Sequence, residues 1–414
     1  MNRSTDHEGG WGHPVRRARR ANLLVPLGIM GAAVGAVGWG FSVVDPAPAV
    51  VPACVVEDAS VVVPDEGVLL GVNLDWASET LAEHRTNMGH APAVAVQFSD
   101  IPYDDKTWAH TTSAVTQVKA NGGVLLLTLE PHAGLDAMSD EVVDRLAKDL
   151  RALNEQGVPV VLRFAHEMNG SWYAWGQQPA HYVEVFRRVA AAVHAQAPGT
   201  SMMWAPNYGG GYPFTGGQFA ARKGTDDYAA LDTDDDGELT MADDTYLPYY
   251  PGDDAVDWVG ISLYHWGNQR PWGNNEITED GKFAAMLTGT YDGTAGDDDA
   301  IPDFYEVYGV EHDKPVAIPE TSAIYTPSRA GESELDVKRA WWRQVFSDDT
   351  HERFPQLKMI NWFEWDKYEI EINDTVDWRA AGSPAVRDAF VADLPSWTLD
   401  APDVPVCGEA VRAP

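Results

Sequence analysis

The chain has 414 residues and sets 29 Lys plus Arg against 63 Asp plus Glu, a formal charge of −34. That balance excludes nucleic-acid binding through phosphate contacts, which needs a basic surface, and disfavours a polyanionic substrate, which would be repelled at encounter. A hydrophobic fraction of 44%, with 16 Trp, excludes a disordered chain and suffices for a large core.

The N-terminus reads differently from the rest. Residues 1–20 hold five Arg, of which Arg16, Arg17, Arg19 and Arg20 directly precede the uncharged stretch Ala21–Val44. Its 24 residues exceed the ~20 that a spanning helix needs, and the basic side is expected to stay cytoplasmic. The reading is a basic cytoplasmic tail over 1–20, a single transmembrane anchor or signal segment over 21–44 and a Pro-rich linker over 45–66. Everything beyond then lies on the extracellular face of the cell membrane, or is secreted if cleavage follows Ala47-Pro48-Ala49. Gly31 and Gly35 carry only a faint helix-pairing signal, so oligomeric state is unknown. Cys54 and Cys407 bracket the exported part. Oxidising surroundings and the closeness of barrel termini predict a disulfide between them. Lipid attachment at Cys54 is the rival, though Val51-Pro52-Ala53-Cys54 lacks the Leu that opens such a motif.

Over residues 67–400, eight short apolar runs alternate with helix-period stretches. The runs are Val68–Leu74, Ala93–Phe98, Val124–Leu129, Val158–Phe164, Ser201–Trp204, Val256–Leu263, Pro315–Ile318 and Leu357–Trp362. Between them, Pro179–Gln196 puts Tyr182, Val185, Phe186, Val189 and Val193 on one face, opens on Pro and stops at Ala197-Pro198-Gly199. Ser139–Gln156 and Glu334–Phe346 read alike. Eight such units predict an α/β protein, a closed (β/α)8 TIM barrel, followed by a short tail at 401–414. An open doubly wound sheet would favour a glycine-rich phosphate turn after the first strand, and Gly71-Val72-Asn73-Leu74-Asp75-Trp76 is not one.

Barrel enzymes carry their chemistry at the C-terminal strand ends. Here those ends present Asn73 and Asp75, Glu130 and His132, His166, Glu167 and Asn169, Asn207, Tyr264 and His265, Glu320, and Trp362, Glu364 and Trp365. Trp76, Trp172, Trp175, Trp266 and Trp272 lie near the same rim. Carboxylates among aromatic plates suit a neutral sugar chain, whose apolar faces stack on rings. Glycosidic cleavage needs one carboxylic acid to protonate the leaving oxygen and a second carboxylate to attack the anomeric carbon or to activate water. Strands four and seven face each other across a barrel mouth, so Glu167 and Glu320 are the candidate pair. Glu130 and Glu364 are rivals, expected instead to bind hydroxyls or to pair structurally. His132 and His265 divide between sugar contacts and structural hydrogen bonds. Trp204, Trp258, Trp341 and Trp342 are expected in the core. No Ser/His/Asp order and no clustered Cys/His spacing supports a serine nucleophile or a zinc site.

The segment Leu162-Arg163-Phe164-Ala165-His166-Glu167-Met168-Asn169-Gly170-Ser171-Trp172-Tyr173-Ala174-Trp175-Gly176 resembles the acid/base motif of glycoside hydrolase family 26. Lys314-Pro315-Val316-Ala317-Ile318-Pro319-Glu320-Thr321 resembles its nucleophile strand, and Tyr249–Asp254 with Val256–Gly260 its sixth-strand pattern. The resemblance spans roughly residues 66–395. It implies a retaining O-glycosyl hydrolase in which Glu167 is the general acid/base and Glu320 the nucleophile, their carboxyls ~5–5.5 Å apart. It further implies that His166 sits at the subsite of the attacked sugar, that Tyr264 hydrogen-bonds the nucleophile, and that Trp172, Trp175 and Trp362 form the sugar platform. Asn169, Glu130 and His132 complete the expected substrate contacts. Glu167 then needs a raised pKa, which apolar neighbours and the Glu320 charge supply. The implied substrate is a neutral β-linked polysaccharide, β-mannan or β-1,3-1,4-glucan. Ala174 departs from mannan-cleaving members, which often carry another aromatic there.

Between the fifth and sixth strands, residues 232–243 fit the calcium loop of EF-hands. Asp232, Asp234, Asp236, Glu238, Thr240 and Asp243 fall at the ligand positions and Gly237 at the sharp turn. Asp243 in place of a final Glu resembles the loop of dockerin modules. A structural Ca2+ stiffening the cleft rim is expected, without flanking EF-hand helices, and no cofactor is expected for catalysis. Asp297-Asp298-Asp299 lacks the spacing and is expected to be solvated. The alternatives from other functional classes are a non-catalytic carbohydrate-binding barrel on the cell surface and an accessory protein of polysaccharide export.

Overall fold

A computed structural model describes residues 54–404 except 295 and 299. Its eight barrel strands are β1 (Val68–Leu74), β2 (Val94–Asp100), β3 (Val124–Glu130), β4 (Val160–Phe164), β5 (Thr200–Trp204), β6 (Trp258–Gly260, continued by Leu263–His265), β7 (Val316–Ala323) and β8 (Leu357–Glu364). Each pairs in parallel with the next, and β8 returns to β1 in register from Leu69↔Met359 to Leu74↔Glu364. The sheet is therefore closed, as expected, and the doubly wound alternative falls.

Side chains alternate along each strand. Leu69, Val94, Val96, Val124, Leu126, Val161, Met203, Ala317 and Met359 form one buried cluster, which fills the barrel. Leu70, Val72, Leu125, Leu127, Leu162, Trp204, Ile318 and Ile360 belong to a second, shared with helix residues such as Val115, Leu146 and Val189. Burial on both faces is why the runs read as continuously apolar. The first helices are α1 (Leu81–Met88), α2 (Asp105–Asn121), α3 (Asp140–Glu155) and α4 (Pro179–Gln196). Asp104 and Ser139 cap α2 and α3 by accepting from the Thr107 and Val142 amides, and α4 starts on Pro179. Trp204, Trp258, Trp341 and Trp342 are all buried.

Several boundaries differ from the sequence reading. Strand β6 is interrupted at Ile261 and Ser262 rather than running through to Leu263. Strand β7 runs past Ile318 to Ala323, with a register shift between Ile318 and Thr321 that brackets Glu320. The linker expected over 45–66 is docked from Cys54 onward. The Val56 amide donates to the Asn154 carbonyl (3.0 Å), and Val62 joins the barrel-filling cluster. The expected C-terminal tail likewise begins with buried Ala401 and Val404. The basic tail, the anchor or signal segment and Cys407 lie outside the described residues. Among the described residues, no helix is long and apolar enough to cross a membrane. Cys54 is not a free thiol.

Candidate active site

The mouth is organised by a cation that the apolar runs concealed. Arg163 shares the inward parity of Val161 and is fully buried. Its Nη1 donates to Glu320 Oε1 and its Nη2 to Ser262 Oγ (2.8 Å), so β4, the break in β6 and β7 meet at one guanidinium. The Tyr264 hydroxyl donates to the other Glu320 oxygen at 2.8 Å. Glu320 itself is 8% exposed. A guanidinium and a phenol on its two oxygens suit an anionic acceptor.

Glu167 reaches the same space because the chain leaves β4 through two left-handed residues, Ala165 (φ 48°) and Glu167 (φ 54°). For non-glycine residues this conformation is strained by ~1–3 kcal/mol each. The flanking ladder holds it: the Ala165 amide donates to Leu129 of β3 and the Glu167 amide to Ala205 beyond β5, at 2.9 and 2.8 Å. The indole of Trp172 donates to Glu167 Oε2 at 3.2 Å. A Cβ at Gly170 would stand 2.3 Å from that indole, so only glycine fits. One carboxylate oxygen each of Glu167 and Glu320, and a ring nitrogen of His166, all lie within 4.8 Å of one another. Burial first, then the Glu320 charge, pushes the Glu167 carboxyl up to about 7, against the pull of Arg163 and of its hydrogen bonds to Ser262 and Trp172.

A second acidic group flanks the pair. Glu130 ends β3 opposite Asp100 of β2 in the register. It is 5% exposed, and burial, then Asp100 and Glu320, push its carboxyl up to about 8. His132 Nδ1 lies 2.9 Å from Asp100 Oδ1. Tyr173 is packed beside His132 and His166, with centroids 6.4 and 5.1 Å away, and burial and the charges of Glu167, Glu130 and Glu320 raise its phenol.

Other expected site residues stand elsewhere. Trp175 is 0% exposed, stacked 4.2 Å from Tyr173, and its indole donates to the His166 carbonyl at 2.7 Å. A fully enclosed ring offers no face to a sugar, so Trp175 supports the His166 loop instead of forming a platform. Trp362 has the outward parity of Ile360. It packs against Trp342 and Phe390 and donates to the Trp378 carbonyl at 3.1 Å. It too is removed from the platform. Trp172 is largely covered, with its edge on Phe214, and faces Glu167 through its N–H. Asn169 is buried and ties loops together: it accepts from the Asn207 amide at 2.8 Å and donates to the Asn207 carbonyl at 2.8 Å and to Thr245 Oγ1 at 3.2 Å. Those bonds occupy it structurally. Glu364 accepts from the Ala380 and Ala381 amides, and His265 bonds the Glu276 carbonyl.

Half-buried aromatics after the strands are Trp76, Trp266, Trp272 and Trp365; Trp365 is stacked on Phe363 and donates to Asn73 Oδ1 at 3.3 Å. Sequence reasoning passed over Arg163, Ser262 and Tyr173. A lone Arg inside the apolar run Val160–Phe164 was the available signal.

In the insertion, Asp232, Asp234 and Asp243 each bring a carboxylate oxygen within 4.8 Å of the others. Asp243 is buried and accepts from the Thr233 and Thr240 amides (2.6 and 2.8 Å). Gly237 has φ 86°, and the Gly237 amide donates to Asp232 at 2.8 Å. Three other side chains are used differently from the expectation. Asp236 caps the Glu238 amide, Glu238 pairs with Lys223, and the Thr240 hydroxyl accepts from the Ala242 amide. Position 7 of such loops ligates through its peptide oxygen, so Glu238 is compatible by backbone only. A short helix, Asp226–Leu231, precedes the loop. Asp298 is not simply solvated: it accepts from the Tyr208 hydroxyl at 2.8 Å.

A closed parallel barrel whose fourth and seventh strands deliver two glutamates to one point has the architecture of an O-glycosyl hydrolase. The family model described as Glycosyl hydrolase family 26 matches residues 39–207, which contain β1 to β5 and the Glu167 loop. The match covers the first half of the barrel, up to the loop after β5. The chain is 24% identical over 282 residues to Endoglucanase H of Acetivibrio thermocellus, covering 65% of this chain and 24% of that protein. It is 26% identical over 219 residues to Beta-1,3-xylanase TXYA of a Vibrio species, covering 49% and 39%. The chain thus spans well under half the length of either relative. Among solved structures, a modular endo-beta-1,4-mannanase of Cellulomonas fimi superposes with a TM-score of 0.53 at 17% identity, covering 88% of this chain and 80% of that one, which bears on the fold.

Proposed function

We propose that this chain hydrolyses a β-linked neutral polysaccharide with retention of configuration. The observation carrying the reading is the approach of the Glu167 and Glu320 carboxylate oxygens to within 4.8 Å, with Arg163 and Tyr264 donating to Glu320. Separations near ~5–5.5 Å suit a direct nucleophile, whereas an interposed water needs ~6.5–9.5 Å. Glu320 attacks the anomeric carbon while Glu167, protonated, gives its proton to the leaving oxygen. A glycosyl ester on Glu320 results. Esterification removes the Glu320 charge, the Glu167 carboxyl loses its repulsive neighbour, and its pKa falls. Glu167 then takes a proton from water as that water attacks the anomeric carbon, and the carbon–oxygen bond to Glu320 breaks to return its carboxylate.

The relatives carry the names endoglucanase, beta-1,3-xylanase and endo-beta-1,4-mannanase, all polysaccharide-directed. β-Mannan and β-1,3-1,4-glucan are the substrates proposed here. A Ca2+ at Asp232, Asp234 and Asp243 is part of the reading, supported by the convergence of their oxygens. It stiffens a loop that reaches the acid/base segment through Thr245 and Asn169. The Cys54–Cys407 disulfide and the N-terminal anchor complete the proposal for a surface or secreted enzyme. Digestion of a panel of β-glycans, with product analysis, tests it: reducing sugar is expected from the unmodified chain and a loss on the order of 1,000-fold or more from Glu167→Gln or Glu320→Gln. Release from neither β-mannan nor β-glucan, with glycan binding retained, would favour the carbohydrate-binding barrel.

A further inference from the structure

Beside the catalytic pair, β2 and β3 set two carboxylates side by side. Asp100 and Glu130 are register partners at the strand ends, and the chain turns at Glu130 so that the His132 amide donates to the Glu130 carbonyl at 2.9 Å. That turn brings the His132 ring over the same point. One oxygen of Asp100, one of Glu130 and one ring nitrogen of His132 all lie within 4.8 Å of one another. Like charges so placed repel, and Glu167 and Glu320 add to the repulsion on Glu130. The nearby guanidinium of Arg163 bonds Glu320 and Ser262 through its two Nη atoms, while its Nε is a buried donor without a partner among the described residues.

The independent observation is Glu130 Oε1. It is enclosed, on a side chain whose residue is 5% exposed, and among the described residues it has no hydrogen-bond partner. A buried carboxylate oxygen left unpaired is destabilising by ~1–3 kcal/mol or more. Such an atom calls for an explanation, by a bound water or ion or by a catalytic use.

We infer that Asp100, Glu130 and His132 form a binding site for a divalent transition-metal ion, of the Mn2+ or Zn2+ type. Once Glu130 has released its proton to water, two carboxylates neutralise the ion's charge, and one imidazole favours a borderline metal over Ca2+ or Mg2+. His132 Nδ1 and Asp100 Oδ1 are 2.9 Å apart, close to the ~3.0 Å between neighbouring ligands at right angles on bonds of ~2.1 Å. The Asp100 and His132 side chains are 65% and 44% exposed, so the remaining coordination positions open to the cleft. Water fills them, or two neighbouring hydroxyls of a sugar. This site is distinct from the acidic loop at Asp232–Asp243, which offers oxygen ligands only.

The test uses the full chain, stripped with chelator, with no glycan present, so it is read independently of hydrolysis. Mn2+ is titrated while the free-ion signal is followed by electron paramagnetic resonance, with Zn2+ as competitor. The unmodified chain is expected to hold a site that Zn2+ displaces. Glu130→Gln and His132→Ala, the latter at a half-exposed position with little bearing on folding, are each expected to weaken it by on the order of 100-fold or more, since outer partners alone are worth ~10–100-fold. Asp243→Ala is expected to keep that site. Absence of the site in the unmodified chain, its survival in either of the first two variants, or its loss in Asp243→Ala overturns the inference.

Discussion

Replacing Glu320 by Gln keeps the shape of the proposed nucleophile and deletes its charge, which isolates what that charge does to Glu167. Burial is the first cause of the elevated Glu167 carboxyl, at about 7, and Glu320 the second. Their oxygens lie within 4.8 Å. At an effective dielectric of ~20, two unit charges at that spacing repel by about 3.5 kcal/mol, equivalent to ~2.5 pH units of proton affinity. The Arg163 charge, released from neutralising Glu320, acts in the same direction. Glu167 in Glu320→Gln is therefore expected to titrate at least roughly two units lower, near ~4.5. Carboxyl-carbon NMR of the glutamate-labelled variant, assigned against the Glu167→Gln/Glu320→Gln double variant, measures this directly. The charge-deleted variant also mimics the glycosyl ester, so the same titration asks whether Glu167 becomes a competent base after the first step. A Glu167 that still titrates near 7 would refute the reasoning and leave burial as the whole cause.

Tyr264→Phe removes one hydrogen bond to a charged acceptor, worth ~1.5–3 kcal/mol, and is expected to lower kcat/KM by ~10–150-fold with unchanged circular dichroism; an unchanged kcat/KM contradicts the role. Glu130 keeps its proton up to about 8 when folded, whereas the unfolded chain releases it near ~4.3. The folded state thus binds more protons between those values, so stability falls as pH rises, by up to ~1.4 kcal/mol per unit. Urea unfolding at pH 5 and pH 8 in chelator is expected to show a smaller fall for Glu130→Gln, and an equal fall counts against it. Trp175→Ala is expected to destabilise by ~3–5 kcal/mol in the same assay, as a core residue does; a loss of activity at unchanged stability would restore it to the sugar platform. Ca2+ is expected to raise the melting temperature of the unmodified chain and not of Asp232→Asn/Asp234→Asn, and an equal rise in both places the ion elsewhere.

The barrel was legible because burial on both strand faces makes each run continuously apolar, and because helix stops such as Ala197-Pro198-Gly199 separate them. The carboxylates were legible because Glu167 and Glu320 closely follow the fourth and seventh apolar runs, on opposite walls. Arg163 was not, since its charge lies inside an apolar run and gains meaning only once inward parity aims it at Glu320. The same parity explains Trp362: Met359 lies inside the barrel, Ile360 joins the helix-facing cluster, and Trp362 follows Ile360. Trp175 was misread because proximity to the motif does not say which ring ends up under the loop. The break in β6 that places Ser262 beside Arg163 has no signature in Val256–Leu263, a run that reads as one strand.

The central claim concerns direct attack by Glu320 rather than by water. Proton NMR of the first products released from a preferred β-glycan follows the anomeric signal before mutarotation. The account predicts that the β-anomer appears first and the α-anomer grows in later; an α-anomer at the earliest times would contradict it.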